Sequence, residues 1–316
     1  MVAYAAYSLS PLEPGTSVVR EFEVDKGAEL GVIAVALEDA RLIRSARSFL
    51  AYAILSGSAH TIKPGLYVLR ASDGAIGTLE RLTEGPAEII VRMIEGDTVG
   101  DIDWRLASAG VTTSGSIMRR LPKEFAQDYS WLAGKKSLEG FLFPDTYHFA
   151  PRSDPDQVIR KMLDNFHKKA WPLLGAKGSA WYNYLTIASL VEKEIPHDLP
   201  KDRAVVAGVV AHRLELGMGL QIDATVLYAK CEGAPRNCID AGLRREDFAI
   251  DSRYNTYAHA GLPPTPIGNP GADAIASALA PTKTDYLYYL SNPKTGATIF
   301  SKTFEEHDTA RAKYLR

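Results

Sequence analysis

The sequence predicts an α+β fold in two regions: a small N-terminal α+β module, then a helix-rich domain carrying a β-hairpin. Three observations predict it. Strand-like stretches alternate with helical apolar spacing over the first hundred residues. Three helix-like segments follow one another between 155 and 216. Tyr286 to Leu290 and Ala297 to Lys302 flank Ser-Asn-Pro-Lys-Thr-Gly, the pattern of two strands joined by a turn.

In chain order, residues 1–16 begin with nine apolar-rich residues, too few to cross a bilayer, which takes roughly 20. They have no basic segment ahead of them of the kind a signal peptide carries. They are expected to be a flexible N-terminus or the last turns of a membrane anchor. From residue 17, Val19, Phe22 and Val24 stand among charged residues as a strand, and Lys26-Gly27 turns into a helical pattern. Leu42, Ile43, Phe49, Leu50 and Ile54 give helical spacing over Arg41 to Leu55, and Lys63-Pro64-Gly65 turns into a short strand, Leu66 to Leu69. A second strand is expected over Ala87 to Ile94, and then a helix over Val99 to Ala109 with Thr98 as its N-cap. The module is assigned to 17–135.

The segment assigned to 136–316 opens on Leu-Glu-Gly-Phe-Leu-Phe-Pro-Asp-Thr-Tyr-His-Phe (138–149), dense in aromatics around a Pro-Asp turn. Helices are expected at about 155–170, 180–195 and 201–216, the last ended by Gly217. Asn269-Pro270-Gly271 is expected to open a helix through Ala280 with Pro270 at its first position.

Composition narrows the function. The 316 residues carry a formal charge of -2, with acidic and basic residues spread along the chain. No broad basic face is available to neutralise phosphates, so a nucleic-acid partner is not expected. Cys231 and Cys238 lack the second pair a zinc site needs; they close a local disulfide outside the cytoplasm or stay thiols in a reducing compartment. No Gly-x-Ser-x-Gly, phosphate-cradling loop or His-Glu-x-x-His is present. The seven histidines show no ligand spacing, and His307 is read as structural or surface.

Three constellations remain. Ala-Ser-Leu-Val-Glu-Lys-Glu-Ile (188–195) places Glu192 after an apolar run, where desolvation raises a carboxyl pKa and suits a general acid. The alternative is that Glu192 and Glu194 are charged residues near a helix end, paired with Lys193 or Arg203. Being two apart on a helix, they point about 200° from each other and cannot serve one substrate as a dyad. Gln221, Asp223 and Thr225 alternate, so in an extended segment they would form one row of groups suited to sugar hydroxyls, or else a solvent-facing edge. Asn255 and Tyr257 precede a proline-rich loop (261–271) rigid enough to hold a ligand at little ordering cost, or to serve as a plain connector.

Taken together, LEGFLFPDTY (138–147), ASLVEKE (188–194), VAGVVAHRLELGMGLQIDATVLYA (206–229), YNTYAHAGLPPTPIGNPGADAIASALAP (254–281) and DYLYYL with FSKTFEEH (285–290, 300–307) resemble the MltG/YceG family of endolytic murein transglycosylases. More loosely, KPGLYVL (63–69) and VRMIEGDTVGDI (91–102) are similar to that family's LysM-like subdomain. The resemblance implies a LysM-like module before the catalytic domain, with Glu192 as acid/base. It further implies cleavage of the MurNAc–GlcNAc bond of nascent peptidoglycan strands with 1,6-anhydro ends, and no cofactor. Gln221, Asp223, Thr225, Asn255 and Tyr257 are expected to contact sugar, with Glu139 and the aromatics around Phe143 and Tyr147 as groove wall or support. The resemblance also implies an extracytoplasmic position behind a single membrane-spanning anchor, of which only the apolar stub is present here, and cell-wall synthases as partners. The rival expectation is a non-catalytic peptidoglycan-binding scaffold.

Overall fold

The computed structural model describes residues 2–195, 199–234, 238 and 242–315; His197, one of the scattered histidines, lies outside them. The fold is mixed α+β, with helices and two-stranded sheets in two compact units, Met1–Ile90 with His148–Arg152 and Val91–Tyr147 with Ser153–Arg316.

In the first unit the apolar start forms a helix, α1 (Val2–Leu9). The Arg44 guanidinium lies 4.6 Å over the Tyr7 ring and donates to the Pro11 carbonyl at 2.7 Å, tying this segment down. Then follow β1 (Val19–Val24), α2 (Leu30–Asp39), α3 (Ala46–Leu55), β2 (Gly65–Arg70) and α4 (Gly74–Glu84). β1 and β2 pair antiparallel from Val19↔Arg70 to Val24↔Gly65. Alternation then sends Phe22 and Val24 of β1, with Tyr67 and Leu69 of β2, to one buried face. They pack there with Leu37 of α2, Phe49 of α3 and Leu79 and Leu82 of α4. α4 was not anticipated, because Gly74 and Gly77 lower its intrinsic propensity and its burial decides the outcome.

The next strand, β3 (Ile89–Arg92), is hydrogen-bonded to β4 (Thr146–Phe149), with α5 (Val99–Ser108) between them in sequence. Thr98 caps α5 as expected, accepting from the Asp101 N–H while the Asp101 carboxylate accepts from the Thr98 N–H. The second unit continues through α6 (Pro155–Lys169), α7 (Trp171–Gly175), α8 (Trp181–Glu194), α9 (Pro200–Glu215), α10 (Asp223–Lys230) and α11 (Ala272–Leu279). A hairpin, β5 (Tyr288–Ser291) and β6 (Thr298–Ser301), and α12 (Phe304–Tyr314) complete it.

α8 is the axis of this unit. Leu185 through Val191 are all buried, so the helix is enclosed on every side, and it packs against α7, α9, α10 and α11. The aromatic segment before β4 feeds the same core, where Phe141 stacks on Trp131 at 5.3 Å and on Tyr182 of α8 at 6.1 Å. Gly140 is required there: its φ is +90°, and a Cβ would meet Pro266 Cγ at 2.6 Å.

Two local expectations are corrected. Residues 221–228 are not extended, because Gln221 takes φ +53° and redirects the chain, and α10 starts two residues later. Pro270 is not the first helical residue: Gly271, with extended backbone, is the N-cap, and α11 starts at Ala272.

Candidate active site

α8 carries its two acids at its C-terminal end. The residue before a proline is pushed out of the helical region, and Ile195, ahead of Pro196, is extended. The exposed carbonyls of a helix C-terminus disfavour negative charge nearby, so both carboxyls sit where the neutral form is favoured. Their 200° separation holds in space. Glu192 and Glu194 line two different cavities.

Glu194 opens on a cavity of about 810 Å³, shared with Arg213, Gln221, Asp223, Tyr257 and Tyr289. The Tyr289 hydroxyl, from β5, donates to Glu194 Oε2 at 2.9 Å. Burial pushes the Glu194 carboxyl up to about 7; the Tyr289 bond pulls it down and the Asp223 charge pushes it up. Asp223, in the first turn of α10, accepts from the Tyr257 hydroxyl at 2.6 Å. Gln221 holds its left-handed backbone because its N–H donates to the Thr256 carbonyl at 3.2 Å and the next N–H donates to Thr256 Oγ1 at 3.0 Å. Arg213 of α9 closes this wall, donating to the carbonyls of Leu220 at 2.7 Å and Leu287 at 2.6 Å.

Glu192 is held differently. Its Oε1 accepts from Arg203 Nη2 at 2.6 Å, with both side chains almost wholly buried, and its Oε2 accepts from the Gly271 N–H at 2.9 Å. Burial pushes this carboxyl up, while the Gly271 amide and the Arg203 guanidinium pull it back. Its cavity, about 600 Å³, is shared with Arg92, Glu95, Asp145 and Arg203. A Cβ on residue 271 would fall 2.0 Å from Glu95 Oε1, so glycine there leaves room for a second carboxylate beside Glu192.

Of the residues expected to contact sugar, Gln221, Asp223 and Tyr257 come together around Glu194, not around Glu192. Thr225 and Asn255 are enclosed. Thr225 Oγ1 donates to the Ile222 carbonyl at 2.6 Å, and Asn255 Nδ2 donates to the carbonyls of Phe248 and Ile250 at 2.9 and 3.0 Å while its Oδ1 accepts from the Tyr257 N–H. Asn255 therefore shapes the loop that presents Tyr257. Glu139 is buried too, accepting from the Val99 N–H, the Tyr228 hydroxyl and Asn269 Nδ2, and desolvation pushes it up to about 8. Phe143 and Tyr147 are buried outside the lining of the Glu194 cavity, Tyr147 donating to the Phe143 carbonyl at 2.7 Å.

Sequence reasoning missed Tyr289, Arg213 and the place of His307, which lines the Glu194 cavity stacked 5.3 Å from Tyr288. The available signal was the adjacent pair Tyr288-Tyr289, whose successive side chains must face opposite sides of a strand. Among the described residues, no three His, Cys, Asp or Glu side chains converge as a metal site. Cys231 and Cys238 are joined as a disulfide. A single near-neutral carboxyl in a cavity with amide, carboxylate and phenol groups is equipped for proton transfer on a polar substrate.

A family model described as "YceG-like family" matches residues 22–313. An endolytic murein transglycosylase of Bacillus subtilis (strain 168) is 30% identical over 334 residues, covering 99% of this chain and 89% of that protein. One of Streptococcus pneumoniae serotype 2 is 28% identical, and the chain spans 61% of its length. The crystal structure of a yceG-like protein of Listeria monocytogenes superposes with a TM-score of 0.61 at 30% identity, covering 93% of this chain and all of the other.

Proposed function

The chain belongs to the YceG-like family, and from that premise we propose that it is an endolytic lytic transglycosylase of peptidoglycan in which Glu194 is the acid/base. The observation that carries the residue assignment is that Gln221, Asp223 and Tyr257 share a cavity with Glu194. Glu192, by contrast, is already committed to a guanidinium and a backbone amide.

Chemistry follows from the geometry. A carboxyl near 7 is protonated in a large fraction of molecules at neutral pH, the condition for an efficient general acid. Neutral Glu194 gives its proton to the oxygen leaving C1 of the muramic acid residue as the C1–O4 bond breaks and the ring becomes oxocarbenium-like. The resulting carboxylate, steadied by the Tyr289 hydroxyl, takes the proton from the O6 hydroxyl as O6 bonds to C1. The 1,6-anhydro end forms, Glu194 is again protonated, and no water is consumed. Gln221, Asp223 and Tyr257 contact sugar hydroxyls; Thr225, Asn255 and Glu139 hold the walls that carry them. This cleavage limits the elongation of nascent strands.

The order β1-α2-α3-β2 with β1 and β2 antiparallel supports a LysM-like reading of the first unit. The Cys231–Cys238 disulfide fits an oxidising, extracytoplasmic compartment. A membrane anchor ahead of the first unit and cell-wall synthases as partners complete the proposal; among the described residues no helix is long and apolar enough to cross a membrane.

A second reading keeps Glu192 as the acid, favoured by its own burial-raised carboxyl and its cavity beside Glu95. Digestion of purified glycan strands by Glu194→Gln and Glu192→Gln, with mass spectrometry of the ends, separates the two. Loss of anhydro ends by about 10²–10⁴-fold in Glu194→Gln alone supports Glu194; the same loss in Glu192→Gln alone transfers the role. No cleavage by the wild type points to the binding scaffold.

A further inference from the structure

The Glu194 cavity is larger than its proton-transfer end. Beyond Gln221, Asp223 and Tyr257 its lining continues through Tyr288, Phe304, His307 and Arg311. This far end differs in character. Tyr288 is the centre of an aromatic stack, with the His307 ring 5.3 Å away and inclined by 25°, the Phe304 ring edge-on at 6.1 Å, and the Arg213 guanidinium 5.1 Å over its face.

Two permanent cations, Arg213 and Arg311, line the cavity. Arg213 is buried and spends its donors on backbone carbonyls, whereas the Arg311 side chain is 54% exposed and lies 3.9 Å from Asp308, one helical turn away. Such a pair at the surface is worth little and is easily exchanged for another partner. The two acids of the cavity are otherwise engaged, Asp223 with Tyr257 and Glu194 with Tyr289. The cavity thus carries acid chemistry at Glu194 and, in Arg311, an exposed guanidinium that shares the lining with the stacked Tyr288 and His307 rings. Guanidinium groups bind carboxylates with paired, charge-assisted hydrogen bonds.

Resting on the reading above, we propose that the Tyr288–His307–Arg311 end of the cavity is a subsite for a carboxylate borne by the muramic acid residue next to the cleaved bond. That residue can present such a group from two sources: the stem peptide on an intact strand, or the lactyl ether on a strand stripped of peptide. Arg311 is then a specificity-determining residue that selects where along a strand the enzyme cuts, and unsubstituted polymers of N-acetylglucosamine are disfavoured.

The test compares kcat/KM of wild type, Arg311→Ala and Arg311→Glu on three substrates: peptide-bearing strands, amidase-stripped strands, and strands whose carboxylates have been converted to neutral amides. The preference of the wild type for carboxylate-bearing over neutralised strands should fall about tenfold in Arg311→Ala, as expected for loss of one charge-assisted pair, and further in Arg311→Glu. A fall confined to peptide-bearing strands assigns the stem peptide; a fall confined to stripped strands assigns the lactyl carboxylate. An equal loss on neutralised strands, or no change in preference, overturns the subsite. Calorimetric titration with a soluble disaccharide-peptide, expected to bind Arg311→Ala about tenfold more weakly, decides the matter independently of turnover. A wild type that binds this ligand through Arg311 but cleaves nothing would overturn the catalytic reading and leave the subsite standing.

Discussion

Glu194 is a carboxyl at the last turn of an enclosed helix with a phenol 2.9 Å away, and its behaviour with pH follows from those two facts. It works as an acid only while protonated, so kcat/KM should fall as pH rises through about 7. The Tyr289 bond favours the charged form and lowers that value. Tyr289→Phe should therefore move the alkaline limb to higher pH and reduce turnover below the limb roughly tenfold. A pH–rate profile measures both, and an unmoved limb would mean that some other group sets it. Glu194 was hard to see in the sequence because its neighbour Glu192 follows the more apolar run, and only the fold tells which cavity each acid enters. Gln221 and Asp223 were singled out from an alternating row and Tyr257 from the loop after it, and the fold brings the three into one lining. Thr225 and Asn255 look the same on paper, yet burial turns them into scaffold.

At the scale of elements, the Glu192–Arg203 pair fastens α8 to α9, and its second oxygen fastens α8 to the N-cap of α11. Removing one member of a buried ion pair leaves the other uncompensated, so Glu192→Ala should cost about 3–5 kcal/mol of stability. Denaturant unfolding reads this directly; a cost under about 1 kcal/mol would show that the pair behaves as a solvated one. α6, α8, α9 and the hairpin β5–β6 were legible because apolar spacing, caps and turn residues agree there. α4, α10 and α12 were not. α4 contains glycines, the alternation of Gln221, Asp223 and Thr225 mimics a strand across the start of α10, and α12 is almost entirely exposed, with Ala310 its one buried residue. The compact units also divide after Ile90, whereas the change in sequence character comes near 135. Packing groups α5 with the helices, and no local pattern records that.

For the molecule as a whole, the second unit contains a buried acid that folding keeps neutral. Glu139 rises to about 8 on burial from an ordinary 4.5, so the folded state binds a proton that the unfolded chain releases. Its contribution is complete below the unfolded value and is lost as pH rises through the folded one. Thermal stability should therefore decline between about pH 5 and pH 8. Glu139→Gln should flatten that slope while lowering stability throughout, since an amide offers one acceptor oxygen where the carboxyl offers two to Val99, Tyr228 and Asn269. Scanning calorimetry across this range checks the sign, and a Tm that climbs with pH would refute it.

The bond between Tyr289 and Glu194 joins positions 95 residues apart. A chain emerging N-terminus first from a ribosome or an export channel presents its acid long before the phenol that tunes it and the hairpin that walls its cavity. Until that hairpin has cleared and docked, the carboxyl lacks the Tyr289 hydroxyl and the wall that Tyr288, Tyr289 and Leu290 give its cavity. The newborn polypeptide thus carries its blade sheathed, and arming coincides with completion of the second unit.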